Sequence, residues 1–262
     1  MNILIIGFGD IGSAVGENLT KQGHHVSSLK RTASDYHDNI QADITKPLSC
    51  SKDFDYVLYI LTPSSREEEG YKAVFDVGLK NALGYFSQSI FLFISSSVVY
   101  GQNDGSLVDE TSKTSKEGMR SRVLVEAEEA VLAYHDKNIV LRLSGIYGRG
   151  GRHLITKLQN KEPIQHTPPY YTNKIHRADC IGAIGFIMIK QMKESLKERV
   201  YNVTDSMPYT MYHVANLVAK KEGLEVVKAT PLKGAPQNKR ISNKRLLDEG
   251  YVFVYPSFKS DC

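Results

Sequence analysis

Three glycines near the start of the chain, Gly7, Gly9 and Gly12, fall in the spacing Gly-x-Gly-x-x-Gly. That run cradles a pyrophosphate when a strand precedes it and a helix follows. Both flanks are present. Asn2–Ile6 is a short Ile-rich run suited to a strand buried on both faces. Ile11, Ala14, Val15 and Leu19 then recur at helical spacing. Gly7 makes the tight turn, Gly9 leaves room for the pyrophosphate, and Gly12 lets the helix lie close to the strand. The main-chain N–H groups that open the helix, at Asp10 and Ile11, face the phosphates. The chemistry these residues serve is the binding of a dinucleotide.

A second group of residues bears on which dinucleotide. His24–Leu29 reads as the next strand, and Lys30-Arg31 ends it. An acidic residue at this place accepts hydrogen bonds from a ribose 2′-OH, whereas a basic one suits a 2′-phosphate. The reading is NADP, with NAD as the second choice; Arg31 is the main phosphate ligand and Lys30 supports it. A solvated pair of cations at a strand end is the competing reading. Asp43 sits where a carboxylate takes an adenine amino group, or else it starts the turn before Pro47. Thr62 ends the strand-like Asp55–Leu61, at the carboxyl edge where ligands bind in open α/β sheets.

These side chains need a scaffold, and the rest of the chain supplies one. Glu67–Leu83 and Glu117–Tyr134 carry apolar residues at helical spacing, while Ile90–Ile94 and Asn138–Leu143 read as buried strands. This βα alternation predicts an α/β fold, a doubly wound parallel sheet of the Rossmann type with a small C-terminal substrate lobe. The dinucleotide domain takes residues 1–150, with 173–205 returning to it. The lobe takes 151–172 and 206–262, with a Pro/Gly-rich stretch at 231–236.

Composition narrows the partners. With 33 basic and 29 acidic residues interspersed, the net charge of +4 is too mild and mixed for a nucleic-acid surface, and a small anionic ligand explains it as well. The expected partner is a small-molecule substrate, with a homodimer as a further option. No apolar run approaches the ~18 residues of a membrane span, and the first residues already form a strand, so a cytoplasmic setting is expected. Cys50, Cys180 and Cys262 are odd in number and far apart, which implies neither a disulfide framework nor a metal site.

Taken together, Gly7–Gly12, Ala42-Asp-Ile-Thr45, Ile94-Ser-Ser-Ser-Val-Val-Tyr-Gly101, Leu141-Arg-Leu-Ser-Gly-Ile-Tyr-Gly148, Lys174-Ile-His-Arg-Ala-Asp179 and Tyr201-Asn-Val-Thr-Asp205 resemble the extended short-chain dehydrogenase/reductase superfamily, also called the NAD-dependent epimerase/dehydratase family. The resemblance implies hydride transfer by a Ser or Thr after the fifth strand and a Tyr-x-x-x-Lys pair on the next helix. The serine maps to Ser96. The helix register places Gly118 where the tyrosine belongs and Arg122 where the lysine belongs. Glycine has no proton to exchange, and arginine is no acid near neutrality. The chain thus resembles the atypical subgroup that keeps the cofactor site and lacks the pair.

Tyr100 and His176 are the candidate replacements for the missing acid, and water is a third source of the proton. Against them stand bland readings: Tyr100 packing on a neighbouring helix, His176 as a structural histidine, and Arg122 in a surface ion pair with Glu126 at i+4. Arg122 otherwise binds the nicotinamide ribose or an anionic substrate group. Two functions follow. One is an NADP-dependent oxidoreductase or epimerase acting on a small polar or nucleotide-linked substrate. The other is a non-catalytic NAD(P)-binding redox sensor that regulates a protein partner.

Overall fold

The computed structural model describes the chain except residues 34, 35, 37, 149–152, 195, 231–237 and 259–262. The Pro/Gly-rich stretch 231–236, the end of the run that starts at Ser144, and Cys262 therefore lie outside the described residues. Seven strands make one sheet: β1 (Asn2–Ile6), β2 (His25–Lys30), β3 (Asn39–Gln41), β4 (Tyr56–Tyr59), β5 (Ile90–Ser96), β6 (Ile139–Leu143) and β7 (Val200–Val203). Their order is β7-β6-β5-β4-β1-β2-β3. The pairs β1–β2, β2–β3, β1–β4 and β4–β5 all run parallel. This is the doubly wound architecture, and its strand order reverses between β1 and β4. Ligands of such sheets bind outside the carboxyl ends of the strands at that reversal.

The apolar runs explain why β1 is central. Ile3, Leu4, Ile5 and Ile6 are all fully buried, as a strand covered on both faces must be. Helix α1 (Asp10–Lys21) packs on it through Gly12, Val15, Gly16 and Leu19. After β4 the expected single helix is more complex. It runs as α2 (Glu68–Lys72), a π-helical turn over Ala73–Gly78 and α3 (Leu79–Tyr85). The Tyr59 hydroxyl donates to the Val74 carbonyl at 2.6 Å inside that turn, and a side chain inserted into the backbone ladder is a known cause of local unwinding. Helix α4 (Met119–Tyr134) follows β5 and buries Val123, Leu124, Val125, Ala127 and Val131.

By its internal contacts the chain divides into two compact units. The first comprises 1–99, 114–142 and 181–201, and the second 100–113, 143–180 and 202–262. The boundaries differ from those drawn on the sequence, and short ladders explain the difference. Leu107–Val108 pairs with Arg240–Ile241, and Gly145–Tyr147 pairs with Lys174–His176. Residues 174–176 therefore stay in the second unit, whereas 200–203 does add a strand to the main sheet. The second unit also contains α5 (His153–Gln159) and α7 (Met211–Glu222), which share a core of Leu158, Ile164, Ala215 and Ala219. Helix α6 (Arg177–Lys193) carries the chain from the second unit into the first. Among the described residues no helix is long and apolar enough to cross a membrane.

Candidate functional site

The glycine run occupies the turn from β1 to α1. Gly7 has φ +105°, and a Cβ on it would overlap the Ile60 carbonyl oxygen, so the turn and the end of β4 meet backbone to backbone. A Cβ on Gly12 would overlap the Gly7 carbonyl oxygen and press on Ile5. Gly9 is different: a Cβ there meets nothing of the protein within 4 Å. Protein packing therefore accounts for two of the glycines and not for the third. Gly9 is also the N-cap residue of α1, and no side chain caps that end, so main-chain donors at the helix start remain available to an anion.

A cavity of about 450 Å³ lies over this turn, within the range of small-ligand sites. Gly7, Gly9, Lys30, Arg31, Asp43 and Thr62 are all on its wall. The structure thus gathers these six in one place; Gly12, Asp10 and Ile11 sit at or beneath the turn and are not part of the wall. The half-buried Lys30 ends β2, in register with Gln41 of β3, and the exposed Arg31 follows it. Asp43 accepts the Thr45 N–H at 3.0 Å and the Thr45 hydroxyl at 2.8 Å, both on Oδ1. Those bonds hold its carboxyl below the usual carboxylate range, with the Arg31 charge adding a smaller pull. Asp43 is therefore an ionised acceptor on the cavity wall as well as the start of a turn.

Sequence reasoning missed Phe8, Ser64, Ala73 and Val74, which also line this cavity. Phe8 packs against Tyr36, with ring centroids 4.6 Å apart and the planes tilted by 43°. Only its place inside the glycine run pointed to it. Ala73 and Val74 reach the wall through the π-helical turn, which no periodicity signals.

The other first-unit candidates lie on β5 and α4. Ser96 is half-buried at the end of β5, and its hydroxyl accepts the Val98 N–H at 3.3 Å. Its neighbour Ser95 faces the other way, donating to Glu128 at 2.5 Å. Gly118 is the N-cap of α4. Arg122 pairs with Glu68 of α2 at 2.9 Å, so its ion-pair partner is Glu68, 54 positions away, rather than the Glu126 expected at i+4.

Two candidates belong to the second unit and are described within it. Tyr100 is fully buried, and its hydroxyl donates to Asn202 Oδ1 at 2.8 Å. The Asn202 N–H in turn donates to Glu110 at 2.7 Å, and its side-chain amide donates to the Ser242 carbonyl at 3.0 Å. Burial pushes the Glu110 carboxyl up. This network ties three segments together and commits the Tyr100 hydroxyl to packing, which is unsuited to an acid that must meet substrate. His176 is 8% exposed, with its ring 3.7 Å from that of Tyr255 and edge-on to Tyr147. Its Nδ1 accepts the Ala178 N–H at 3.1 Å. Among the described residues no group of three or more His, Cys, Asp or Glu side chains is placed to hold a metal ion.

Comparison with known proteins agrees with this fold. The family described as RmlD substrate binding domain matches residues 83–249, more than half of the chain. A solved structure from Methylobacillus flagellatus, named for the NAD-dependent epimerases/dehydratases, superposes with a TM-score of 0.78 at 29% identity, covering 99% of this chain and 95% of that one. Human epimerase family protein SDR39U1, solved with NADPH, superposes at 0.73 with 18% identity over 98% and 96%. UDP-glucuronic acid 4-epimerase from Bacillus cereus, solved with NAD, does so at 0.74 with 17% identity over 94% and 91%. No curated protein sequence matches the chain.

Proposed function

We propose that this chain, which belongs to the RmlD substrate-binding-domain family within the extended short-chain dehydrogenase/reductases, is an NADP-dependent oxidoreductase of the atypical type acting on a small polar or nucleotide-linked substrate. The observation that carries the cofactor is the open space over Gly9, on a cavity wall it shares with Lys30 and Arg31. A reduced nicotinamide nucleotide held there supplies the reducing equivalents. Main-chain N–H groups at the start of α1 hold its diphosphate, Arg31 and Lys30 neutralise the 2′-phosphate, and Asp43 accepts from the adenine amino group. The Ser96 hydroxyl orients and polarises the reacting oxygen.

Titration with NADPH and NADH tests this directly. NADPH is expected to bind about tenfold tighter or more, as a dedicated pair of cations for one phosphate implies; equal affinity removes the role given to Arg31. Gly9→Val is expected to fold normally, since a Cβ at this position meets no protein atom within 4 Å, and to lose about a hundredfold in NADPH affinity. A folded Gly9→Val protein that binds as tightly as the wild type overturns the site.

A second reading has its own supporting observation. With Gly118 capping α4 and Arg122 held by Glu68, neither position performs the work of the usual pair, which suits a non-catalytic protein that reports NAD(P) redox state to a partner. Ser96→Ala separates the two readings. It abolishes turnover under the first and leaves cofactor affinity and partner capture unchanged under the second.

A further inference from the structure

One part of the cavity wall in the first unit is not built from regular secondary structure. Strand β4 is buried from Tyr56 to Tyr59, and a strand covered on both faces packs with apolar side chains. Tyr59 is fully buried yet carries a hydroxyl that packing alone does not require. Burial pushes its proton affinity up, so the group stays a donor. It donates to the Val74 carbonyl at 2.6 Å. The Leu79 N–H reaches the same carbonyl, five residues back, where an α-helix would bring the Gly78 N–H. The extra residue rotates Ala73 and Val74 by about 100° relative to α3, compared with an unbroken α-helix. Both stand on the cavity wall with Ala42, Asp43 and Ile44.

The same helical segment is seated on the turn that carries Asp43. A Cβ on Gly78 would come within 2.9 Å of Ile44 Cγ2 and 3.0 Å of the Tyr59 hydroxyl, so a larger residue would push these groups apart. The Asn81 side-chain amide donates to the Ile44 carbonyl at 3.0 Å. The turn at 43–45 and the π-helical turn are thereby fixed to each other. Their shared wall sets the apolar side chains of Ala42, Ile44, Ala73 and Val74 beside one ionised carboxylate, Asp43. Apolar surface with a single placed acceptor suits a flat heteroaromatic base that bears an amino group. A π-helical turn is rare, and such turns occur mostly at functional sites.

We propose that Tyr59 is a positioning residue for the adenine end of the nucleotide: through the Val74 carbonyl it holds the π-helical turn that sets Ala73 and Val74 against the base. The inference rests on the NADP reading above. Tyr59 is not on the cavity wall and acts only through the backbone it holds. Without its hydroxyl, the Val74 carbonyl keeps the Leu79 N–H, and nothing then favours the π-helical register over the α-helical one. The wall loosens while the strand beneath it stays packed.

The test is a double-variant cycle of the wild type, Tyr59→Phe, Val74→Ala and the two changes combined. Affinity is read by NADPH fluorescence titration and by displacement of NADPH with adenosine 2′,5′-bisphosphate, which carries the base and no nicotinamide; circular dichroism checks folding. Tyr59→Phe is expected to fold, since it leaves no buried acceptor unpaired, and so is Val74→Ala, since Val74 is only half-buried. Each is expected to weaken NADPH and the bisphosphate equally, by about fivefold, the size of one hydrogen bond or a little buried apolar surface. Because both changes act on one wall, the combined variant is expected to lose about fivefold as well, rather than the roughly twenty-five-fold of independent sites. A hydroxyl that serves only the fold lowers the unfolding midpoint and leaves affinity alone. Should Tyr59→Phe not fold, Gly78→Ala, whose Cβ crowds the same hydroxyl, takes its place in the cycle with the same expected loss. Wild-type affinity in the Tyr59 variant, a loss for NADPH unmatched by the bisphosphate, or losses that multiply each overturns the positioning role. Failure of the wild type to bind NADPH overturns the cofactor reading instead.

Discussion

The two units treat buried charge in opposite ways. In the first, Glu128 and Arg142 are both nearly inaccessible, and Arg142 grips both carboxylate oxygens through Nε and Nη2 at 2.6–3.1 Å. Ser95 adds a third donor to the same carboxylate. In the second, burial pushes Asp205 up to about 7 and Lys239 down to about 8. Lys239 is 3% exposed and donates to the Tyr100 carbonyl at 2.6 Å. Matched charges pin one arrangement of β6 against α4. In the second unit, burial moves the Asp205 and Lys239 proton affinities toward neutrality instead.

The sharpest way to break this contrast is to unmatch the first unit. Glu128→Ala leaves Arg142 buried without its carboxylate and is expected to cost about 3–5 kcal/mol in urea unfolding. A loss below about 1 kcal/mol would mean that water reaches Arg142 and that the pair anchors nothing. The second unit is expected to respond with the opposite sign. Asp205 has a folded proton affinity above its unfolded one, so the native state holds the proton more tightly. Its contribution is fully present below the unfolded value of about 4 and is lost as pH rises to about 7. Asp205→Asn keeps the Met207 bond and carries no charge, so at pH 8 it is expected to stabilise by about 1–3 kcal/mol and to flatten the decline between those pH values. Chemical denaturation across pH measures both effects; an unchanged slope means that Asp205 ionises freely in the fold.

The same contrast governs what could be read in the sequence. The glycine run, the Ile-rich β1 and the strands β4 to β6 are local patterns, and their periodicity translates directly into place in a parallel sheet. Lys30, Arg31, Asp43 and Thr62 were legible because each ends a strand or begins the turn after it, and the topology brings those ends together. The π-helical turn was not legible, because it depends on the Tyr59 hydroxyl reaching Val74. Nor were the two- and three-residue ladders that assign 100–113 and 143–148 to the second unit, since such short pairs carry no periodicity. Asp205 lies in a quoted motif, yet its raised proton affinity comes from burial, a property of the folded chain alone.

Arg122 offers the finest discrimination. Sequence spacing offered Glu126 at i+4 as its partner, but the guanidinium lies 2.9 Å from Glu68, which also pairs with Lys72. All three side chains are more than a third exposed, so solvent and salt screen them and the bridge adds little to stability. Glu68→Gln is therefore expected to leave Tm within the scatter of repeat scans. Its effect should instead be electrostatic. With its carboxylate neutralised, Glu68 no longer offsets Arg122 at the start of α4, and the local potential becomes more positive. If Arg122 serves the bound nucleotide, NADPH affinity should rise about two- to threefold at low salt and return to the wild-type value as ionic strength increases. An affinity unmoved at every salt concentration assigns Arg122 to joining α2 and α4 and removes it from the cofactor site.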